Sequence, residues 1–237
     1  LECAVVDGSA QIAVHSGKDI PSEIAKETIL VPILKRENPF DVFIGKKSGP
    51  RRIKLSEVPK NGVIGSASLR RRAQLLMHRS DFSVVEHRGN VPTRIEKLDN
   101  SETLSGIVLA HAGILRLGFA DLDVDEFPTD LMLPAINQGI LVAQVRADRS
   151  DVIDLLNKVS DSDAVNAFNA ERGCAEILKG DCNSAISMFA DMQQGKLRMR
   201  ARVLLPDGSK CLVAEKVGDP KSAKELGLAV GEELLSK

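Results

Sequence analysis

Short apolar runs alternate along the chain with stretches whose apolar residues recur at helical spacing. The runs Gln11–Val14, Ile29–Leu34 and Val42–Ile44 predict buried strands. Between residues 63 and 118 a strand is followed by a helix three times, with helices over Leu69–His78, Thr93–Leu98 and Ala112–Leu117. This order is typical of a parallel sheet, in which each helix begins at the carboxyl end of a strand.

Both ends of the chain give further predictions. Leu1–Val6 has the pattern of the last turns of a helix that stops at Asp7-Gly8, with neither Met nor a basic segment in front. We therefore expect a fragment whose beginning is absent, and not a signal peptide. Helices are predicted over Val152–Val159, Ala164–Leu178 (capped by Asp161 and ending at Gly180) and Ser222–Leu235, and a hairpin by Leu197–Leu205 with Lys210–Glu215.

Composition restricts the class of protein. The 237 residues are 43% hydrophobic and 27% charged, which is typical of one large or two to three small globular domains. No apolar run approaches the roughly 18 residues of a membrane span. Lys+Arg (32) and Asp+Glu (33) nearly balance, and there is no Tyr or Trp, which argues against a nucleic-acid-binding protein. The segment 119–131 is acidic without a base and predicts a solvated surface.

The first candidate site follows the first predicted strand. His15, Ser16, Lys18 and Asp19 lie within five residues directly after the apolar run. Ligands in open α/β sheets bind beyond the carboxyl ends of strands. On pattern alone a plain loop at the end of the strand is favoured, and the close grouping of these four residues argues for the ligand site.

Arginines form the second candidate site, because they recur after three successive strands. Ser66, Ser68, Arg70 and Arg71 stand at one helix start, and Arg88, Arg94 and Arg116 follow the next two strands. Helix N-termini and guanidinium groups bind carboxylates or phosphates, so the pattern predicts a small polyanion as ligand. The alternative is a solvated helix face, which is the interpretation we give Arg72.

Four cysteines, at 3, 174, 182 and 211, form no CxxC pair, which favours free thiols in a reducing compartment. Cys182 falls in a loop between Asp181 and Asn183, whereas Cys174 lies inside a predicted helix and is expected to be packed. Access favours Cys182 as the reactive thiol. From spacing alone, a structural thiol is the favoured interpretation of Cys182.

Six motifs then occur in register: AVHSGKDIP (13–21), IGSASLRRRAQL (64–75), RGNVPTRIEKLD (88–99), AGILRLG (112–118), LPAINQG (133–139) and the AER to LKGDC stretch (170–182). Over its whole length the chain closely resembles the porphobilinogen deaminases, also called hydroxymethylbilane synthases. The stretches KETILVPILKREN and GEELLS resemble plant and algal members. Several positions depart from the family pattern, namely Ser66, Gly17 (in place of a larger apolar residue), Asp181 and Gln144-Val145.

The resemblance implies a transferase of porphyrin, heme or chlorophyll biosynthesis. It would join four porphobilinogen molecules into hydroxymethylbilane with release of ammonia, on a covalently attached dipyrromethane cofactor. A non-catalytic two-lobe module that binds polycarboxylates is the alternative. The implied partner is porphobilinogen, without nucleic acid or membrane, and a monomer in the cytoplasm or plastid stroma is expected.

The family also implies roles for residues of this chain. Cys182 would carry the cofactor, Asp19 would be the catalytic carboxylate and Lys18 would assist it. The residues holding the cofactor would be Ser16, Lys18, Ser66, Ser68, Arg70, Arg71, Arg88 and Arg94, with Arg88, Arg94, Arg116 and Gln138 binding substrate and no metal.

The implied fold class is α/β, with two lobes like those of periplasmic binding proteins, the first incomplete, and a small α+β C-terminal domain. Domain 1 would comprise 1–38 and 137–158, domain 2 would comprise 39–136 and bind anions, and domain 3 would comprise 159–237 and carry the cofactor cysteine.

Overall fold

A computed structural model describes residues 1–21, 23–179 and 185–237. The helices are α1 (Glu2–Val6), α2 (Leu69–His78), α3 (Val91–Asp99), α4 (His111–Arg116), α5 (Ser150–Asn157), α6 (Ser162–Leu178) and α7 (Ala223–Leu235). The strands are β1 (Ala13–Ser16), β2 (Thr28–Ile33), β3 (Asp41–Gly45), β4 (Lys47–Ser48), β5 (Arg51–Arg52), β6 (Val63–Gly65), β7 (Ser83–Val85), β8 (Leu104–Ala110), β9 (Asp125–Glu126), β10 (Leu141–Arg146), β11 (Ile186–Gln193), β12 (Lys196–Leu204) and β13 (Cys211–Gly218).

The first sheet joins the start of the chain to its middle. Its order is β1-β10-β2, and both pairs are antiparallel, with Ala13 opposite Gln144 and Leu141 opposite Ile33. Apolar residues of β2 and β10 pack against α5 on one face, while Val142 and Leu30 belong to the core around α6. Burial of both faces explains why the first three residues of β10, and Val145, are apolar.

The second sheet has five strands in the order β7-β6-β8-β3-β9. The predicted parallel arrangement is confirmed for β6, β7 and β8. Strand β3 runs antiparallel to β8 and to β9, so the sheet is mixed. Helices α2, α3 and α4 follow β6, β7 and β8 in turn, which brings their N-termini to one edge of the sheet.

The C-terminal unit is a meander, β11-β12-β13, covered by α6 and α7. These two helices approach closely through small residues. A Cβ on Gly227 would lie 1.9 Å from the carbonyl oxygen of Ala170, so only glycine fits there.

The chain is therefore α/β, with a small α+β unit at its C-terminal end, as expected. Each sheet takes all its strands from one of the three predicted domain ranges. The domain boundaries themselves stay a prediction. No helix in the described ranges is long and apolar enough to cross a membrane.

Three local predictions need correction. The first strand covers Ala13–Ser16 and not Gln11–Val14, because pairing with β10 fixes its extent. Helix α6 starts at Ser162 and not at Ala164, and the Asp161 carboxylate caps it by accepting from the N–H of Ala164 (2.9 Å). At its end Lys179 has a left-handed conformation (φ 48°). Gly180, the predicted terminating residue, lies outside the described residues.

The acidic segment 119–131 is not simply solvated. Asp123 accepts from the N–H of Arg52 (2.9 Å) and pairs with the Lys54 ammonium (2.9 Å), and Asp125 accepts from the N–H of Leu55 (2.9 Å). The segment therefore satisfies backbone donors of the distant region 51–55, which local sequence could not reveal.

Candidate functional site

A single turn of 3-10 helix, Gly17–Asp19, follows β1 and presents two of the predicted site residues. The N–H of Gly17 donates to the carbonyl of Ile140 (2.8 Å), which fixes the turn to the segment entering β10. Asp19 is exposed and Lys18 is partly buried. Burial, followed by the positive charge of Arg71, lowers the pKa of the Lys18 ammonium, and the Asp19 and Asp41 carboxylates oppose this change. The turn therefore lies close enough to Arg71 for the charge of that arginine to act on Lys18.

The two predicted serines build the start of α2. The Ser68 hydroxyl accepts from the N–H of Arg71 (3.4 Å), and the Ser66 hydroxyl accepts from the N–H of Ser68 (3.3 Å). Each hydroxyl acts as an acceptor in these contacts and keeps its own hydrogen, which it can donate to a carboxylate.

Arg70 and Arg71 are held by a residue that sequence reasoning missed. Asp41, at the start of β3, is fully buried. Its Oδ2 lies 2.8 Å from Nη1 of Arg70, and its Oδ1 lies 2.7 Å from Nη2 of Arg71. Although burial acts in the opposite direction, these two guanidinium groups lower the pKa of Asp41 to about 2. An aspartate opening a wholly buried strand was the available signal, because a buried charge requires a partner.

The roles of Arg70 and Arg71 as ligand-binding groups stay a prediction. Both side chains are buried and already bonded within the protein, which limits how a ligand can reach them. Arg70 is 5% exposed and also donates to the carbonyl of Leu133 (2.7 Å), and Arg71 is 7% exposed and donates to the carbonyl of Val108 (3.0 Å). Two guanidinium groups share one carboxylate, so this cluster carries a net positive charge.

Three other cations, Lys18, Arg70 and Arg94, lie within reach of the charge of Arg71. Burial and then the charge of Arg71 lower the pKa of Arg94 as well as that of Lys18. For Arg70, burial lowers the pKa, Asp41 opposes it, and Arg71 lowers it further. Like charges this close repel one another, and an anion placed among them would relieve that repulsion.

Of the remaining predicted binding residues, Gln138 contacts the cluster directly through Asp41. Arg88 is exposed and pairs with its neighbour Glu86. Arg94 donates from Nε to the carbonyl of Gly89 (2.6 Å) at the start of α3, and Arg116 donates to the carbonyl of Gly139 (2.8 Å). Gln138 is buried instead of lining an open surface, and its Nε2 donates to the carbonyl of Pro39 (2.7 Å) and to Asp41 (3.0 Å). Its predicted contact with substrate stays a prediction.

Glu171 connects the C-terminal unit to this region and was also missed. It is fully buried on α6 and accepts from Arg36 Nη1 (2.7 Å), the N–H of Asn137 (2.5 Å) and the N–H of Ala190 (2.9 Å). These donors come from the segment before β3, the segment before β10, and β11. One carboxylate therefore fixes α6 against both segments that run between the first and second sheets.

The cysteines differ in their surroundings. Cys174 is buried on α6, and burial, followed by the charge of Glu171, raises the pKa of its thiol to about 12. Burial also raises the pKa of Cys211, whereas Cys3 is exposed on α1. Cys182, the predicted attachment residue, lies outside the described residues, between Lys179 and Ala185. Among the described residues, no group of three or more His, Cys, Asp or Glu side chains could hold a metal ion.

Comparison with known proteins agrees with a fold and site of this kind, an α/β protein with a cationic cluster at a sheet edge. Residues 1–154 match the family model "Porphobilinogen deaminase, dipyromethane cofactor binding domain", and residues 165–236 match "Porphobilinogen deaminase, C-terminal domain". The porphobilinogen deaminase of Syntrophomonas wolfei is 37% identical over the whole chain, which covers 76% of that relative. That of Francisella tularensis subsp. holarctica is 34% identical, with the chain again covering 76% of it. The chain belongs to the porphobilinogen deaminase family.

Solved structures add little. The periplasmic VFT2 domain of Bordetella pertussis BvgS has a TM-score of 0.40 at 12% identity, covering 67% of this chain and 64% of that chain. A probable amino-acid transporter binding protein of Bacillus subtilis, ytmK, has a TM-score of 0.41 at 8% identity, covering 66% of each chain. Likeness this weak carries no weight beside the sheets described above.

Proposed function

We propose that this chain is a transferase that joins four porphobilinogen molecules into the linear tetrapyrrole hydroxymethylbilane and releases ammonia. Family membership supports the reaction. The observation that supports its location is the crowding of Lys18, Arg70 and Arg94 around Arg71, with one buried carboxylate between two of these arginines. Each porphobilinogen unit carries an acetate and a propionate, so the growing chain is a polyanion that this excess of positive charge would attract.

The donor set also fits the dipyrromethane cofactor, which would supply the pyrrole end to which substrate is joined. Its carboxylates need charged donors and hydroxyl groups. Those that we assign to it are Ser16, Lys18, Ser66, Ser68, Arg70, Arg71, Arg88 and Arg94. Arg88, Arg94, Arg116 and Gln138 are assigned to incoming substrate. Arg70 is almost fully buried and paired with Asp41, so we assign it mainly an electrostatic contribution to the site.

We assign the covalent attachment to Cys182. The thiolate is the nucleophilic form of cysteine, and burial makes the Cys174 thiolate unfavourable. Cys182→Ser should abolish a mass adduct on the intact protein, while Cys174→Ser should retain it. An adduct that survives Cys182→Ser would contradict this assignment.

Asp19 is assigned to catalysis. Loss of ammonia leaves positive charge on the substrate carbon, and a nearby carboxylate stabilises that charge as it develops. Exposure of Asp19 on the turn beside the cationic cluster leaves it free to approach substrate. A group that acts on charge present only late in the reaction affects turnover more than affinity.

The experiment that tests the function is Asp19→Asn in the loaded protein. Turnover of porphobilinogen should fall about 10²- to 10³-fold, with the adduct retained and KM nearly unchanged. Glu23→Gln, at an exposed position four residues further along the chain, is the matched control and should keep normal turnover. Near-normal kcat with a raised KM would show that Asp19 only binds substrate. Polycarboxylate binding without any turnover of the parent chain would refute the proposed activity.

We further propose that the protein is a monomer in the cytoplasm or plastid stroma. It would bind neither nucleic acid nor a membrane. The near-zero net charge and the absence of Tyr and Trp support the proposal that the protein does not bind nucleic acid. A dimer in size-exclusion chromatography with light scattering, or salt-dependent retention on DNA, would contradict the corresponding part.

A further inference from the structure

Gly17 and Asn137 compete for one volume beneath the Lys18–Asp19 turn. A Cβ built on Gly17 would lie 2.8 Å from Cβ of Asn137, 3.0 Å from its carbonyl oxygen and 3.2 Å from that of Ile140. Packed carbon atoms normally lie at about 3.5–4.0 Å. No side chain fits at position 17 while Asn137 stays where it is.

Asn137 has an unusual conformation. Its φ is +54°, the left-handed region, which among residues with a side chain Asn tolerates better than most. Its backbone is fixed independently of its side chain, because its N–H donates to Glu171 (2.5 Å) and its carbonyl accepts from the N–H of Ile140 (3.1 Å).

The carboxamide of Asn137 makes no hydrogen bond that would explain its presence. The residue is fully buried, and neither Nδ2 nor Oδ1 has a partner within the described part of the chain. Burying an amide without partners destabilises the folded state, so the side chain needs another reason to be there. What the side chain does supply is volume against Gly17, at a backbone conformation that few other side chains would accept.

We propose that Asn137 is a positioning residue for the Lys18–Asp19 turn and forms with Gly17 a pair coupled by size. The hydrogen bond from Gly17 to Ile140 attaches the turn to the segment that contains Asn137. A side chain at position 17 would therefore push Lys18 and Asp19 away from Arg70 and Arg71. The catalytic part of this inference rests on the proposed function, while the geometric part does not.

The test is a double-mutant cycle on the loaded protein. Gly17→Ala should lower kcat about 10- to 100-fold, because a displacement of 1 Å can cost this much, and should change KM little. Asn137→Gly keeps the left-handed backbone and both backbone hydrogen bonds, and removes only the side chain. Adding it to Gly17→Ala should restore kcat by at least about 5-fold. A double variant no better than Gly17→Ala alone would overturn the pairing.

A second measurement needs no turnover. The Lys18 amine, labelled by reductive methylation with ¹³C-formaldehyde, is titrated by NMR. Gly17→Ala should move its pKa towards that of free lysine, because the amine leaves its buried place beside Arg71. The double variant should move the pKa back part of the way, because the contacts with the two backbone oxygens remain. Gly113→Ala is the control, since a Cβ there would meet only Val91 at 3.8 Å, and it should change nothing.

The outcomes separate the two proposals. Partial restoration of the Lys18 titration in a chain without deaminase activity would refute the proposed function and keep the pairing. If Gly17→Ala does not fold, Asn137→Gly alone decides: loss of support beneath the turn should shift the Lys18 titration, and an unchanged titration would refute the pairing.

Discussion

Replacement of Asp41 by Asn tests whether the buried carboxylate and the ligand's carboxylates share Arg70 and Arg71. The substitution keeps the shape of the side chain and removes the charge that lies 2.8 and 2.7 Å from the two guanidinium groups. Removing one member of a buried ion pair typically costs about 3–5 kcal/mol, since it leaves charge buried without compensation. We expect a loss of this size in the free energy of unfolding of the unloaded protein.

The loaded protein should lose less. Carboxylates of the bound cofactor would stand near the same arginines and replace part of the missing charge. The difference should be about 1.5–3 kcal/mol, the contribution of one hydrogen bond to a charged group. Urea denaturation of loaded and unloaded forms, the latter expressed in cells that cannot make porphobilinogen, gives the four values required.

Asp148→Asn is the control. Asp148 pairs with Arg146 at 2.5 Å on the surface, where solvent screens the pair, so its loss should change the free energy of unfolding little in either form. If Asp41→Asn costs the same in loaded and unloaded protein, the ligand carboxylates do not approach these arginines. The proposed position of the anion site would then be wrong.

Acid should reproduce part of this effect in the parent protein. The pKa of Asp41 is about 2 in the folded state, lower than in the unfolded chain, so its charge stabilises the fold above the unfolded pKa. That stability, about 2 kcal/mol, should be lost as the pH falls from about 4 towards 2. Asp41→Asn should remove this portion of the acid dependence, and an unchanged acid profile would contradict the interpretation.

Two further predictions follow from the site. Arg94→Lys and Arg88→Lys keep the charge but lose the planar fork, so each should weaken binding of porphobilinogen or of a soluble polycarboxylate measured by calorimetry; parental affinity in both variants would exclude two-point contacts. Glu171→Gln should lower the free energy of unfolding by about 3–5 kcal/mol, because it leaves the Arg36 side chain, which is only 11% exposed, opposite a neutral amide; a loss under about 1 kcal/mol would mean that Arg36 is compensated elsewhere.

Local pattern determined much of this protein. The alternation of apolar runs and helical stretches between residues 63 and 118 predicted β6, β7 and β8 with their helices, because periodicity and capping act over a few residues. The same short motifs placed Lys18, Asp19 and the arginines at strand ends and carried the family resemblance. Cys174 as a packed thiol followed from its place inside a helical pattern.

Tertiary structure decided which side chains meet. Asp41 and Arg71 are 30 residues apart, Gln138 reaches Asp41 across 97, and Glu171 gathers donors from three separate segments. The antiparallel course of β3 and the contacts of Asp123 and Asp125 are likewise pairings between distant segments. Periodicity reports the environment of each residue and not the identity of its neighbour. The partner of a buried charge, and the volume that Asn137 leaves for Gly17, are therefore set only when the sheets pack together.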